Sequence, residues 1–384
     1  MTADEVPERT GYLPALDHLR FFAASLLVVH HFSGLPDPAS ASGGLERVGL
    51  AWMRWGSSGV SLFLVLSGFL FVTICRDRQP SYWRFLANRA LRIFPMLFVV
   101  MLLLMTASRA TWSPIDLLRF LTLQINTGDT LSGWGQDILP FGPIWTIAVE
   151  FQFYLLFPLL LVVLQRQGAK PFLLIIITLM LFRALLTVQF GVEAYYNSYH
   201  TLLGRLDQFL IGMLAGSLWL KRAEWFGRTA SAALVVSALA VLSAYLVTFR
   251  ISYLSSAAGF TLEAVLWAAF MLGYIGLVRG NGSVVRAIAL LGAPTYSIYL
   301  LHMFVGGMML RGAQSAGWTT GLVWTDILMF GYVPTLLVSA LTYQAVEKPF
   351  LQLKMSYLPP HRDRDPDAKP HTSKRKCVTQ IAHR

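Results

Sequence analysis

One apolar run after another, each about as long as the hydrocarbon core of a bilayer is thick, most limits what this chain can become. Backbone in lipid must satisfy its own hydrogen bonds, so apolar runs near 20 residues imply helices. Ten spans are expected, at roughly 15–33, 56–75, 93–108, 143–165, 171–190, 201–219, 229–248, 257–278, 287–309 and 325–346. The expected fold class is an all-α, polytopic transmembrane helix bundle of about ten helices. The first span is the weakest, its uninterrupted apolar stretch being only "FFAASLLVV". Residues 113–125 are apolar but too short to cross and read as interfacial or re-entrant, while 126–142 form a loop long enough to fold over something. Composition agrees: with 55% hydrophobic and 13% charged residues, 384 residues could not cover a soluble surface.

Asp4, Glu5 and Glu8 stand where a signal peptide would be basic, so no cleaved leader is expected. Cys75 and Cys377 lie far apart and flank no ligand-like spacing, which implies neither a disulfide framework nor a metal site.

Lys and Arg orient the chain. With the N-terminus inside, the inner segments hold about 22 basic residues and the outer loops about 7, Arg20 and Arg183 remaining within helices. Both termini are therefore expected in the cytoplasm, the protein being multi-pass in the cell (inner) membrane. The net charge of +11 then reads as basic cytoplasmic loops, not as a nucleic-acid surface. Residues 356–384 are polar, basic and proline-containing and are expected to be a disordered cytoplasmic tail, leaving 1–355 as the transmembrane domain.

Ionisable residues at membrane depth are costly and mark function by default. In "LDHLRFFAASLLVVHHF", Arg20 and His31 are separated by eleven helical steps. That brings them within about 20° of one face and about 16 Å apart along the axis. His30 points about 100° away and reads as packing or interfacial. Arg84, Arg89 and Arg92 follow the second span on the inner side and suit a polyanion such as a nucleotide diphosphate, the alternative being an ordinary positive-inside loop. Glu150, Arg183, Arg205, Asp207, Glu263 and His302 fall in the outer half. The pattern is two chambers of one path, arginines inside, imidazoles and carboxylates outside. For several of these the plainer reading stays open. His31 could bond a backbone carbonyl, Glu150 could pair with Arg183 or Arg205, and Arg205 with Asp207 could be a local cap and ion pair. Gly59, Ser67 and Gly68 suit close helix packing.

At this point the chain resembles the integral-membrane acyltransferase 3 family, which includes O-acetyltransferases of bacterial polysaccharides and macrolide O-acyltransferases. Arg20 and His31 fill the family's opening motif, an Arg or Lys, ten residues, then His. "GVSLFLVLSGFLF", with Ser67 and Gly68, "RFLANRALRIFP", "WTIAVEFQFYLLFP", with Glu150, "RLDQFLIGML", "YSIYLLHMF" and "VEKPF" follow in the family's order. Ser61 stands where the family often has Asp, and Phe151 where a second Glu is common, so roles for those extra carboxylates do not carry over.

The resemblance implies a stand-alone membrane enzyme that moves a short acyl group, most readily acetyl, from acyl-CoA to a hydroxyl. The acceptor would be a glycan, glycolipid or small natural product. It implies no bound cofactor; acyl-CoA, acetyl-CoA first, is the donor substrate, and the partners are that donor, the hydroxyl-bearing acceptor and the bilayer, with no nucleic acid. His31 is the expected catalytic base or acyl carrier, with Glu150 orienting an imidazole or the acceptor hydroxyl. Arg20, Arg84, Arg89 and Arg92 are the expected donor-binding residues, and Arg183, Arg205, Asp207 and His302 the expected acceptor-lining set, Arg183 also being a guess for the oxyanion stabiliser. A glycan or lipid transporter is the competing class, since charges within a bundle also mark transport paths, and a noncatalytic scaffold is a third.

Overall fold

A computed structural model describes residues 12–32, 37–107, 114–126, 144–191, 194, 198–248, 255–278, 280, 282–321 and 323–359. Within them every regular element is helical, with no strand. The helices are α1 (Pro14–His31), α2 (Gly44–Arg54), α3 (Ser58–Cys75), α4 (Tyr82–Ala107), α5 (Pro114–Leu121), α6 (Trp145–Gln167) and α7 (Lys170–Phe190). After them come α8 (Leu202–Arg222), α9 (Arg228–Thr248), α10 (Phe260–Leu277), α11 (Ser283–Gly292), α12 (Thr295–Ser315) and α13 (Trp324–Leu351). The loop expected at 126–142 falls, after its first residue, outside the described residues, as does the tail from 360 onward.

All ten expected spans lie in helices, with differences that have physical causes. Seven of the described helices are long and apolar enough to cross a membrane on their own; the pair α11–α12, bent by 54°, makes an eighth. The bend falls at Ala293–Pro294, where a proline cannot continue the ladder. The two remaining, α1 and α8, are full-length helices but too polar to qualify alone, α1 through Asp17, His18, Arg20, His30 and His31, α8 through Arg205, Asp207 and Gln208. The span expected at 93–108 begins eleven residues or so earlier, at Tyr82, because nothing in "YWRFLANRALRI" breaks a helix. Its arginines are therefore helical rather than in a loop. The short 113–125 stretch contains α5. The amphipathic α2, not anticipated, is tied to α1 by the Arg54 carbonyl, which accepts from His30 Nδ1 at 2.7 Å.

The apolar α3 sits at the centre, against α1, α8 and α10. On α7 the exposed large side chains are leucine, isoleucine, valine and phenylalanine, Val188 being 87% exposed, as lipid contact requires. Lipid is as apolar as leucine, so helices associate here through close packing. Glycines set the α3–α8 approach. A Cβ on Gly68 would fall 2.2 Å from the Phe209 carbonyl oxygen, and one on Gly212 2.2 Å from that of Val65. Both neighbours are backbone and cannot swing away. Gly68→Ala is expected to destabilise the detergent-solubilised protein by about 1–3 kcal/mol, the usual range for overpacking. Gly227→Ala, with nothing within 4 Å, should leave the thermal midpoint unchanged.

Candidate active site

The stripe on α1 faces the bundle. Between Arg20 and His31 on that face lie Ala24 and Leu27, each 1% exposed. Arg20, toward the Pro14 end, binds Asp17, its neighbour one turn back, at 2.8 Å and keeps 28% of its side chain exposed. At the other end, His31 Nδ1 lies 2.9 Å from the Leu27 carbonyl and 3.0 Å from Nε2 of His302 on α12. His302 is fully buried, its Nδ1 against the carbonyls of Tyr299 at 2.7 Å and Ile298 at 3.2 Å. His302, expected to line an acceptor, thus stands in direct contact with the expected catalytic histidine.

At the Pro14 end the cations gather. Arg89 lies over the rings of Phe71, Phe85 and Tyr154, at 5.0, 5.5 and 6.0 Å, and its Nε is buried with no hydrogen-bond partner among the described residues. Arg92 is 3.5 Å from Oε2 of Glu347, whose Oε1 accepts from the Ser297 backbone N–H at 3.0 Å and hydroxyl at 2.5 Å. A wide, π-type turn at Tyr343–Glu347 in α13 presents that carboxylate; such turns recur at functional sites. Arg84 is exposed, near the start of α4. After α13 the chain folds back as a strap over α4. Met355 exchanges two hydrogen bonds with the Asn88 side chain, at 2.6 and 2.9 Å, and the Tyr357 carbonyl accepts from Ser81 N at 2.8 Å. The strap sets Lys354 beside Arg89, Arg92 and Arg20; burial first, then those three positive charges, push its ammonium down to about 7, against the opposing pull of Glu347.

A polar route joins the two ends. From His302 the chain of contacts passes to Tyr299, whose hydroxyl bonds Thr146 on α6. One turn on, Glu150 accepts from Ser67 of α3 at 2.7 Å and bonds Tyr154, which in turn adjoins Arg89 and Arg92. Glu150 is therefore between the ends, not paired with Arg183 or Arg205.

Those arginines form two adjoining buried groups, joined at the Phe260 ring and by the Gln208 backbone N–H, which donates to Asp207 at 3.0 Å. Arg183 donates to the carbonyls of Ala257 and Gly204, each at 3.0 Å, and to Asp207 at 2.8 Å and Thr261 at 2.6 Å. Arg205 lies 4.0 and 4.1 Å from the Phe260 and Tyr199 rings and donates to Gln208 at 3.3 Å. Gln208 and Glu263 meet on the Ser61 hydroxyl, which donates to Glu263 at 2.6 Å. So Glu263 brings a carboxylate against the Ser61 hydroxyl.

Sequence reasoning missed Asp17 and Lys354 as members of these groups, gave Ser67 only a packing role, and held Glu347 only within the motif "VEKPF". For Asp17 the local signal was its three-residue spacing from Arg20.

The acyltransferase domain profile of acyltransferase 3 matches residues 13–344. Nodulation protein 10 of Rhizobium leguminosarum bv. viciae is 26% identical, over 90% of this chain and 95% of its own. The exopolysaccharide production protein ExoZ of Rhizobium meliloti is 28% identical, over 77% and 90%. The O-acetyltransferase OatA of Staphylococcus aureus is 24% identical over 54% of this chain; the match spans about a third, 35%, of that longer protein. No solved structure matches.

Proposed function

We propose, for a chain that belongs to the acyltransferase 3 family and is a multi-pass membrane acyltransferase, that it moves a short acyl group from acyl-CoA to a hydroxyl of a polysaccharide or its lipid-linked precursor. The observation that carries this reading is the His31–His302 pair at one end of a bundle whose other end gathers Arg20, Arg89, Arg92 and Lys354. Guanidinium and ammonium groups recognise phosphate, and CoA is the polyanionic donor of acyl transfer. The relatives' names, an O-acetyltransferase and an exopolysaccharide production protein, support a glycan acceptor and favour acetyl.

In this reading the Pro14 end faces the cytoplasm of the inner membrane, where CoA is made, and both termini are cytoplasmic. The pantetheine arm runs beside α1 toward His31. Its Nε2 takes the acceptor's hydroxyl proton as the oxygen attacks the thioester carbonyl. The tetrahedral adduct collapses to the ester, the C–S bond breaks, and the departing CoA thiolate takes the proton from the imidazolium. Glu150, held by Ser67 and Tyr154, stands midway and orients the thioester arm.

The test is purified protein in nanodiscs with acyl-labelled acetyl-CoA and polysaccharide or lipid-linked glycan. Label in the glycan is the expected result; passage of unmodified glycan across the membrane without label transfer would replace this reading with a transporter. Lys354 adds a pH dependence. Its charge appears as pH falls through about 7, so it strengthens phosphate binding below that pH and less above it. Lys354→Met is expected to raise the donor Kd about fivefold at pH 6, the worth of about 1 kcal/mol for one screened contact, and less at pH 8.5. Isothermal titration with CoA at both values checks the slope.

A further inference from the structure

The hydrogen bond between the two histidines runs in one direction only. Carbonyl oxygens accept and never donate, so His302 Nδ1, against Tyr299 and Ile298, carries a proton. In a neutral imidazole the other nitrogen is then an acceptor, so His302 Nε2 presents a lone pair to His31 across 3.0 Å. His31 Nδ1 answers as donor, consistent with its 2.9 Å contact to the Leu27 carbonyl. Its lone pair is therefore on Nε2.

Leu27 alone would hold this state weakly, because that carbonyl also serves the helix ladder of α1. His302 has the geometry to hold it firmly. It is fully buried, anchored one helical turn back on its own element, and packed by the Phe32 and Tyr299 rings. We propose that His302 is a positioning residue that fixes His31 in the Nδ1–H tautomer, aiming its Nε2 lone pair at the reacting hydroxyl. This rests on the reading of His31 as the base. It replaces the acceptor-lining role expected of His302 with one that acts through another side chain. When His31 takes the proton, His302 Nε2 still accepts from Nδ1–H, so no reorganisation accompanies the step.

Two variants and one spectroscopic measurement test it. His302→Ala removes the acceptor and is expected to lower kcat about 10–100-fold, less than the effect known for losing a triad's orienting group, with the donor KM within about twofold. His302→Gln offers an amide oxygen to the same donor and should recover most of kcat. Equal loss in both variants, or a loss that lies in KM, would overturn the proposal. Nitrogen-15 spectra of histidine-labelled protein in lipid give an answer independent of activity. The neutral His31 ring is expected to be protonated at Nδ1 in the wild type and to become a mixture of tautomers in His302→Ala. A wild-type His31 protonated at Nε2 would refute the assignment outright. Should His31→Ala retain transfer while the spectra show the expected tautomer, the function assigned to His31 fails and the tautomer stands. Should His31→Ala be dead while the spectra show the other tautomer, the reverse holds.

Discussion

Replacing His31 with alanine is expected to lower acyl transfer by about 10²–10⁴-fold, the range that a positioned general base supplies. The loss should appear in kcat, since the donor's phosphates are held at the Pro14 end, about 16 Å along α1. Inserting and folding should be little affected. His31 sits in the last turn of its helix, and its removal leaves His302 Nε2 short of one partner, at about 1–3 kcal/mol. His30→Ala is the control for a structural loss at the same place: that ring bonds the Arg54 carbonyl and holds α2 to α1, so its effect should be on the thermal midpoint rather than on kcat. Size-exclusion profile, thermal unfolding and initial rates on the same preparations separate the two. Normal acylation by His31→Ala in membranes would sink the mechanism.

The second large effect concerns stability. Arg183→Leu is expected to destabilise the protein by about 3–5 kcal/mol, the penalty for leaving one member of a buried ion pair without the other. Arg183 and Asp207 are both fully buried and 2.8 Å apart, and Arg183 also ties the Ala257 and Gly204 carbonyls, so it joins α7, α8 and the approach to α10. Arg183→Leu with Asp207→Leu should recover part of the loss, because no lone charge then remains. Denaturation in detergent measures both. An acceptor-lining role for Arg183 makes a different forecast: a raised acceptor KM at unchanged stability, with no recovery in the double variant.

Much of the helical architecture was legible because apolar runs are local and the bilayer fixes their length. The Arg20–His31 stripe was legible for the same reason, as one helix carries both. Contacts across the chain were not. His302 is 271 positions from His31, and nothing in "YSIYLLHMF" says which helix it meets; only the shared direction of travel of α1 and α12 put both at one end. Lys354 was hidden differently. It lies between the last expected span, which ends at 346, and the tail expected from 356, and it matters because Asn88 pins Met355 back onto α4. Arg84, Arg89 and Arg92 read as a loop because hydropathy counts a helix only from its first apolar turn, whereas the backbone follows propensity from Tyr82. The unexpected carboxylate beside Ser61 shows the same limit: Glu263 stood out in sequence as an intramembrane acid, but its partner lies two hundred and two positions away.

The helix that carries His31, α1, and the one that carries the buried Arg205, Asp207 and Gln208, α8, are the two too polar to qualify as spans on their own, and both lie against the apolar α3. Their residence in the bilayer is thus a property of the assembly and not of their own sequences. A bundle built this way has an order of construction. The apolar helices can settle in lipid independently, but the two polar ones can stay only once α3 offers α1 a packing surface and α8 the Ser61 hydroxyl that Gln208 binds.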